Sequence, residues 1–156
     1  MPTTPNASEL ATILPGSWNL RATNFPTWLT RERTTPKFGY ELVTESPLTL
    51  KDDVSYLTPD NQEKHVFGVD KWGHDVFVHR GKGRLALSRT RWSVSGANDA
   101  STVLAIRVEK TLTAHGGIDI IVRDGIELPE LRSLVARGTE QFGLSAEDFA
   151  SLTWLG

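Results

Sequence analysis

The residues best suited to chemistry are four histidines, His65, His74, His79 and His115, and two tyrosines, Tyr40 and Tyr56. No two of these histidines have the i, i+4 spacing that sets two ligands on one helix face. The chain also has no cysteine, so no metal site is expected. His74 and His79 lie an odd number of residues apart in one extended stretch, which turns them to opposite faces. His79 shares its face with Phe77, just ahead of Gly81-Lys82-Gly83. An imidazole among apolar neighbours can anchor a carbonyl or carboxylate, or pass a proton with Tyr56 as its acid–base partner. His115, followed by Gly116-Gly117, is either a turn residue or the axial ligand of a haem, the one cofactor the sequence brings to mind.

Other reactive arrangements are missing or poorly placed. There is no Gly-x-Ser-x-Gly elbow for a serine nucleophile, and Gly81-Lys82-Gly83 is too short to cradle a phosphate. Asp52 and Asp53 are adjacent in a strand pattern, so they face opposite ways and cannot share a substrate. Arg107 and Glu109, two apart, pair along a strand, either on the surface or inside a cavity. The pattern leaves open which faces of their strands carry Trp92, Arg91 and Arg107. Tyr40 and Tyr56 each lie on the apolar side of a strand, where a hydroxyl finds a core partner or lines a cavity.

Composition narrows the partners. A formal charge of -2, with basic residues scattered among acidic ones, offers no stripe for a phosphate backbone, so nucleic acid is not an expected partner. A hydrophobic share of 38% against 23% charged is that of a folded domain, and 156 residues suit a single one. No segment is apolar for long enough to span a bilayer as a helix, and Met1 to Leu14 lacks the form of a secretory signal. A cytoplasmic protein is the expectation.

The elements that must position these residues are mostly strands. Residues 1–7 read as a loose tail, Ser8 caps a short helix carrying Leu10, Ile13 and Leu14, and Pro15-Gly16 stops it. Strands are expected at Trp18 to Ala22, Lys37 to Thr44, Leu48 to Leu57, Lys64 to Asp70, His74 to His79, Arg84 to Ser95, Thr102 to Thr113 and Ile118 to Arg123. Turn chemistry separates them, including Lys71-Trp72-Gly73 and Gly81-Lys82-Gly83. Phe25, just before Pro26, with Trp28 and Leu29, in the segment bounded by Pro26 and Pro36, form a flap. Eight strands with short connections predict an antiparallel up-and-down barrel across residues 14–124, able to hold one small ligand. Across residues 127–155 the period turns helical, with Pro129 opening a helix that runs to Gly143. Ser145 with Asp148 then opens a second, with Phe149 and Leu152 inward.

A short helix, then Gly16-Ser17-Trp18 beginning the first strand, a lid-like connection and a meander of strands together resemble the lipocalin or calycin group. The resemblance implies that Trp18 plugs the closed end of the barrel and that Arg123, at the end of the last strand, covers it. A guanidinium on an indole face also gains a cation–π contact. The expected function is binding of a small apolar or aromatic molecule inside the barrel, lined by Trp28, Tyr40, Tyr56, Phe67, Phe77 and His79. The alternative is an isomerase, cyclase or lyase using His79 and Tyr56.

Overall fold

The computed structural model describes residues 4–81, 89–111 and 116–155. Strand β1 (Gly16–Thr23) is followed by β2 (Thr34–Glu45), β3 (Leu48–Leu57), β4 (Glu63–Gly73), β5 (Val76–Gly81), β6 (Arg89–Ala97), β7 (Val103–Val108) and β8 (Gly117–Arg123). Each pairs antiparallel with the next, and β8 and β2 both pair with β1, so the meander closes into an eight-stranded barrel. Closure leaves no bare edge over most of its height.

Alternation along the strands separates two cores. Trp18, Leu20, Phe38, Leu48, Leu50, Phe77, Trp92, Val94, Leu104, Ile106 and Ile121 point inward. Ala22, Val103, Ala105, Ile118, Ile120 and Val122 point outward, where the C-terminal segment covers them with Leu131, Val135, Phe142, Leu144 and Leu152. This second core explains why β8 is buried on both faces. A bulge between Leu20 and Ala22 returns Thr23 to the inside, opposite Asp119.

Helix α1 (Ala7–Ile13) closes one end of the barrel. Its N-cap is Asn6, two residues earlier than the expected Ser8: Asn6 Oδ1 accepts from Glu9 N–H at 2.8 Å, and Glu9 Oε1 accepts in return from Asn6 N–H at 3.1 Å. The chain is docked ahead of the helix as well, since Pro5 is buried and the Thr4 hydroxyl donates to the Ser95 carbonyl. Residues 4–7 are therefore no loose tail.

At the same end, the Arg123 guanidinium lies 4.1 Å from the Trp18 ring centroid and donates to the carbonyls of Pro15 and Ile13. The Trp18 indole donates to the Leu14 carbonyl at 3.0 Å. The expected pairing is present, and it has carbonyl acceptors from the helix as its reason.

The flap is a single turn, α2 (Pro26–Leu29), with proline in its first turn. The turn expected at Lys71-Trp72-Gly73 lies further on. Trp72 packs inside on Phe77, with centroids 4.9 Å apart, which keeps the strand going through Gly73. His74 and Asp75 make the reversal with φ of 54° and 66°, so His74 is a turn residue rather than a strand residue.

Helix α3 (Leu131–Arg137) begins after Pro129 and stops at Gly138, short of Gly143. Ser145 and Asp148 form the expected capping box of α4 (Ala146–Ala150). A two-residue strand, β9 (Thr153–Trp154), pairs with the end of β1, which β2 has left at Asn19.

Candidate functional site

The inner side chains differ between the two halves of the barrel. Toward the helix-closed end they are apolar and packed: Phe77 is fully buried, stacked on Trp92 with centroids 4.5 Å apart, and edge-on to Trp72. Above them comes a charged group. Asp52 on β3, Asp70 on β4 and His79 on β5 all face inward, because the β3–β4 register sets Asp52 opposite Gly68 and Leu50 opposite Asp70, and β4–β5 sets Asp70 opposite His79. His79 Nδ1 lies 2.8 Å from Asp52 Oδ2 and 2.9 Å from Asp70 Oδ1. The Trp92 indole donates to the same Asp70 oxygen at 2.8 Å.

Glycine makes room for the imidazole. A Cβ on Gly68 would stand 2.9 Å from His79 Nε2 and closer still to Cε1, so the ring occupies the space a side chain would take. Asp70 is wholly buried, whereas the His79 side chain keeps 25% exposure, so solvent reaches the ring but not the acid. The third inward carboxylate is Asp119 on β8, opposite Ile106 and bonded by the Thr23 hydroxyl at 2.7 Å.

These surroundings shift the titrations. Burial would lower the His79 pKa, but hydrogen bonds to Asp52 and Asp70, with their charges, outweigh it and push it up to about 10. Burial raises Asp70 to about 7, against the opposing effect of His79, and Asp52 alongside adds to the rise. Burial likewise raises Asp119 to about 7, against its bond from Thr23. Tyr40 is held well above its ordinary value by burial and then by the charges of Asp70, Asp52 and Asp119. Near neutrality the group thus contains an imidazolium and carboxylates that compete for protons.

Most of the expected lining residues are inside. Tyr40 packs against Trp92 at 5.7 Å, and Trp28 of the flap lies 6.2 Å from both Phe38 and Tyr56. Arg33 sits over the Tyr56 ring at 4.8 Å. Phe67 is different. It faces outward with 50% exposure, stacked on His65, because the register pairs it with Asp53 on the outer face. Phe77 faces inward but belongs to the packed half. Outside, His65 contacts Asp53 and Glu63.

The open faces are now assigned. Trp92 points in, while Arg91 and Arg107 point out. Arg107 pairs with Asp148 at 2.9 Å and the Gly143 carbonyl at 3.1 Å rather than with Glu109, anchoring the C-terminal segment. His115 and Lys82-Gly83 lie outside the described residues, and with His115 the haem expectation.

Sequence reasoning set Asp52 aside with Asp53, and passed over Asp70 and Asp119. Their signal was present: each stands in phase with inward apolar residues, Asp52 with Leu48 and Leu50, Asp70 with Trp72, and Asp119 with Ile121. Where β1 and β2 part, a cavity of about 390 Å³ is lined by Leu20, Trp28, Pro36, Leu155, Arg31 and Arg33.

No protein-family model matches the sequence, and no curated protein matches it. Solved structures do match. Lobster apocrustacyanin A1 superposes with a TM-score of 0.63 at 8% identity, covering 99% of this chain and 87% of that one. The chain has a lipocalin-like fold. The siderocalin Ex-FABP superposes with a TM-score of 0.59 at 13% identity over 92% of this chain and 93% of that one. A biogenic amine-binding protein gives 0.63 at 12% identity over 98% and 84%.

Proposed function

We propose that this protein binds a small molecule with an apolar or aromatic body in the half of the barrel beneath the Trp28 flap. The observation that carries this reading is the charged group at mid-barrel. A barrel stabilised for its own sake would fill its centre with hydrocarbon, because buried carboxylates cost several kcal/mol each unless fully compensated, on the order of the stability of a whole domain. A site that breaks the packing rule in this way is usually a working one. Trp28, Phe38 and Tyr56 supply an aromatic wall above it. Two neighbours of the same fold are, by their names, a siderocalin with dual ligand specificities and a binder of biogenic amines.

Native mass spectrometry of the purified protein for a co-purifying molecule, followed by titration of aromatic candidates against tryptophan fluorescence, tests the reading. Saturable quenching that Trp28→Ala weakens is the expected result. A protein that saturates with none of them, and carries nothing from the cell, overturns it.

A further inference from the structure

Between the end of β1 and the start of β2 the barrel wall is open, for a reason written in the chain. The ladder between them stops at Asn19 opposite Lys37. Beyond it, Pro36 has no N–H to offer β1, and Thr35 takes a φ of 45° where the β2–β3 register shifts, so the ladder does not resume. The end of β1 pairs with β9 instead, and the Leu155 N–H donates to the Arg21 carbonyl at 2.7 Å. The cavity of about 390 Å³ in this opening is lined on its apolar side by Leu20, Trp28, Pro36 and Leu155. Leu20 and Pro36 are buried, and Trp28 and Leu155 pack against the inner core.

Two guanidiniums share that cavity, those of Arg31 and Arg33, both from the turn between the flap and β2. Arg33 lies over the Tyr56 ring at 4.8 Å, a contact that supplies no oxygen for its N–H donors. Arg31 makes no hydrogen bond or ion pair among the described residues, and Glu32, between the two in sequence, pairs with neither. Residues 1–3, 82–88 and 112–115, outside the described ones, contain no aspartate or glutamate that could reach them. Arg21 also lines the cavity, but it has a partner of its own and is not counted. Two cations on one apolar cavity repel each other, and an anion between them turns that repulsion into attraction.

Resting on the binding reading above, we propose that the occupant is an organic acid whose carboxylate lies on Arg31 and Arg33 and whose apolar body lies against Trp28 and Leu20. A carboxylate accepts paired N–H bonds from the planar guanidinium fork, and its charge is the one the cavity lacks. A neutral alcohol of the same shape would fill the apolar side and leave the guanidiniums without an anion. An amine would add a third cation.

The test uses the full chain and three probes of one shape, 3-phenylpropionate, 3-phenylpropanol and 3-phenylpropylamine, titrated by calorimetry and tryptophan fluorescence. The acid is expected to bind at least about tenfold more tightly than the alcohol, and the amine more weakly than either. Raising salt from about 20 mM to about 300 mM should weaken the acid several-fold and leave the alcohol level. Arg31→Ala and Arg33→Ala should each lose about fivefold for the acid and less than about twofold for the alcohol, with Arg33→Lys recovering part of the loss. Trp28→Ala should weaken acid and alcohol alike, because both place their ring on it.

Equal binding of acid and alcohol, or an acid preference that survives in the folded Arg31→Ala/Arg33→Ala double variant, overturns the proposal and leaves the binding reading standing. An acid whose affinity Trp28→Ala does not move is held elsewhere and overturns it too. Preference for the amine reverses the assigned charge. Saturation with none of the three overturns both readings for ligands of this size.

Discussion

Asp119 offers the cleanest reading of what a buried charge costs this barrel. Its pKa lies near 7 when folded and near the ordinary 3.8 when unfolded, so the native state binds the proton more tightly. A pKa raised on folding contributes stability below the unfolded value, and that contribution is lost as pH rises toward 7. Asp70 acts in the same direction over the same range, and His79 loses its contribution as pH rises from its ordinary 6.5 to about 10. Asp119→Asn keeps an acceptor for Thr23 and removes the charge. Urea unfolding should show the variant gaining on the parent by roughly 2–4 kcal/mol between pH 5 and pH 8; a gap that does not change with pH would contradict the shift. Gly68 is the second decisive residue. Gly68→Ala puts a methyl into the His79 ring, so the imidazole must leave its two carboxylates, at a cost of about 1–3 kcal/mol. In NMR titrations His79 should then deprotonate near neutrality, whereas in the parent it stays protonated at pH 8.

The joint between α1, β1 and β8 holds the closed end. Three elements meet through one side chain, because Arg123 stacks on Trp18 and donates to carbonyls at the end of the helix. Replacing Arg123 with Ala removes the cation–π contact and leaves those carbonyls without their charged donor. A loss of about 2–4 kcal/mol in denaturant unfolding is expected, with Arg123→Lys recovering part of it. The order of these elements was legible in the sequence because alternation, turn residues and capping chemistry are local. Departures from it had tertiary reasons. The β4–β5 turn moved to His74-Asp75 because Trp72 packs on Phe77, and Phe67 turned outward because its register partner is Asp53.

Over the whole molecule, two cores share one sheet. The C-terminal segment serves as the cover of an outer apolar face on β1, β7 and β8, fixed by Arg107 to Asp148 and the Gly143 carbonyl. A chain ending at Asp124 would bare Val103, Ala105, Ile118, Ile120 and Val122 together. Light scattering after size exclusion should find it associated or precipitated. A monodisperse truncated barrel would show that the second core is dispensable.

The barrel, its strand number, its helical flanks and the Trp18–Arg123 pairing were legible in the order of residues, since each depends on period, turn chemistry and the two ends of one closed meander. The site was not legible there. Asp52, Asp70, His79 and Asp119 come from four strands, and which of their neighbours stand within hydrogen-bond reach is set by register and closure. Those are fixed by the packing of the whole barrel, not by any local stretch of chain.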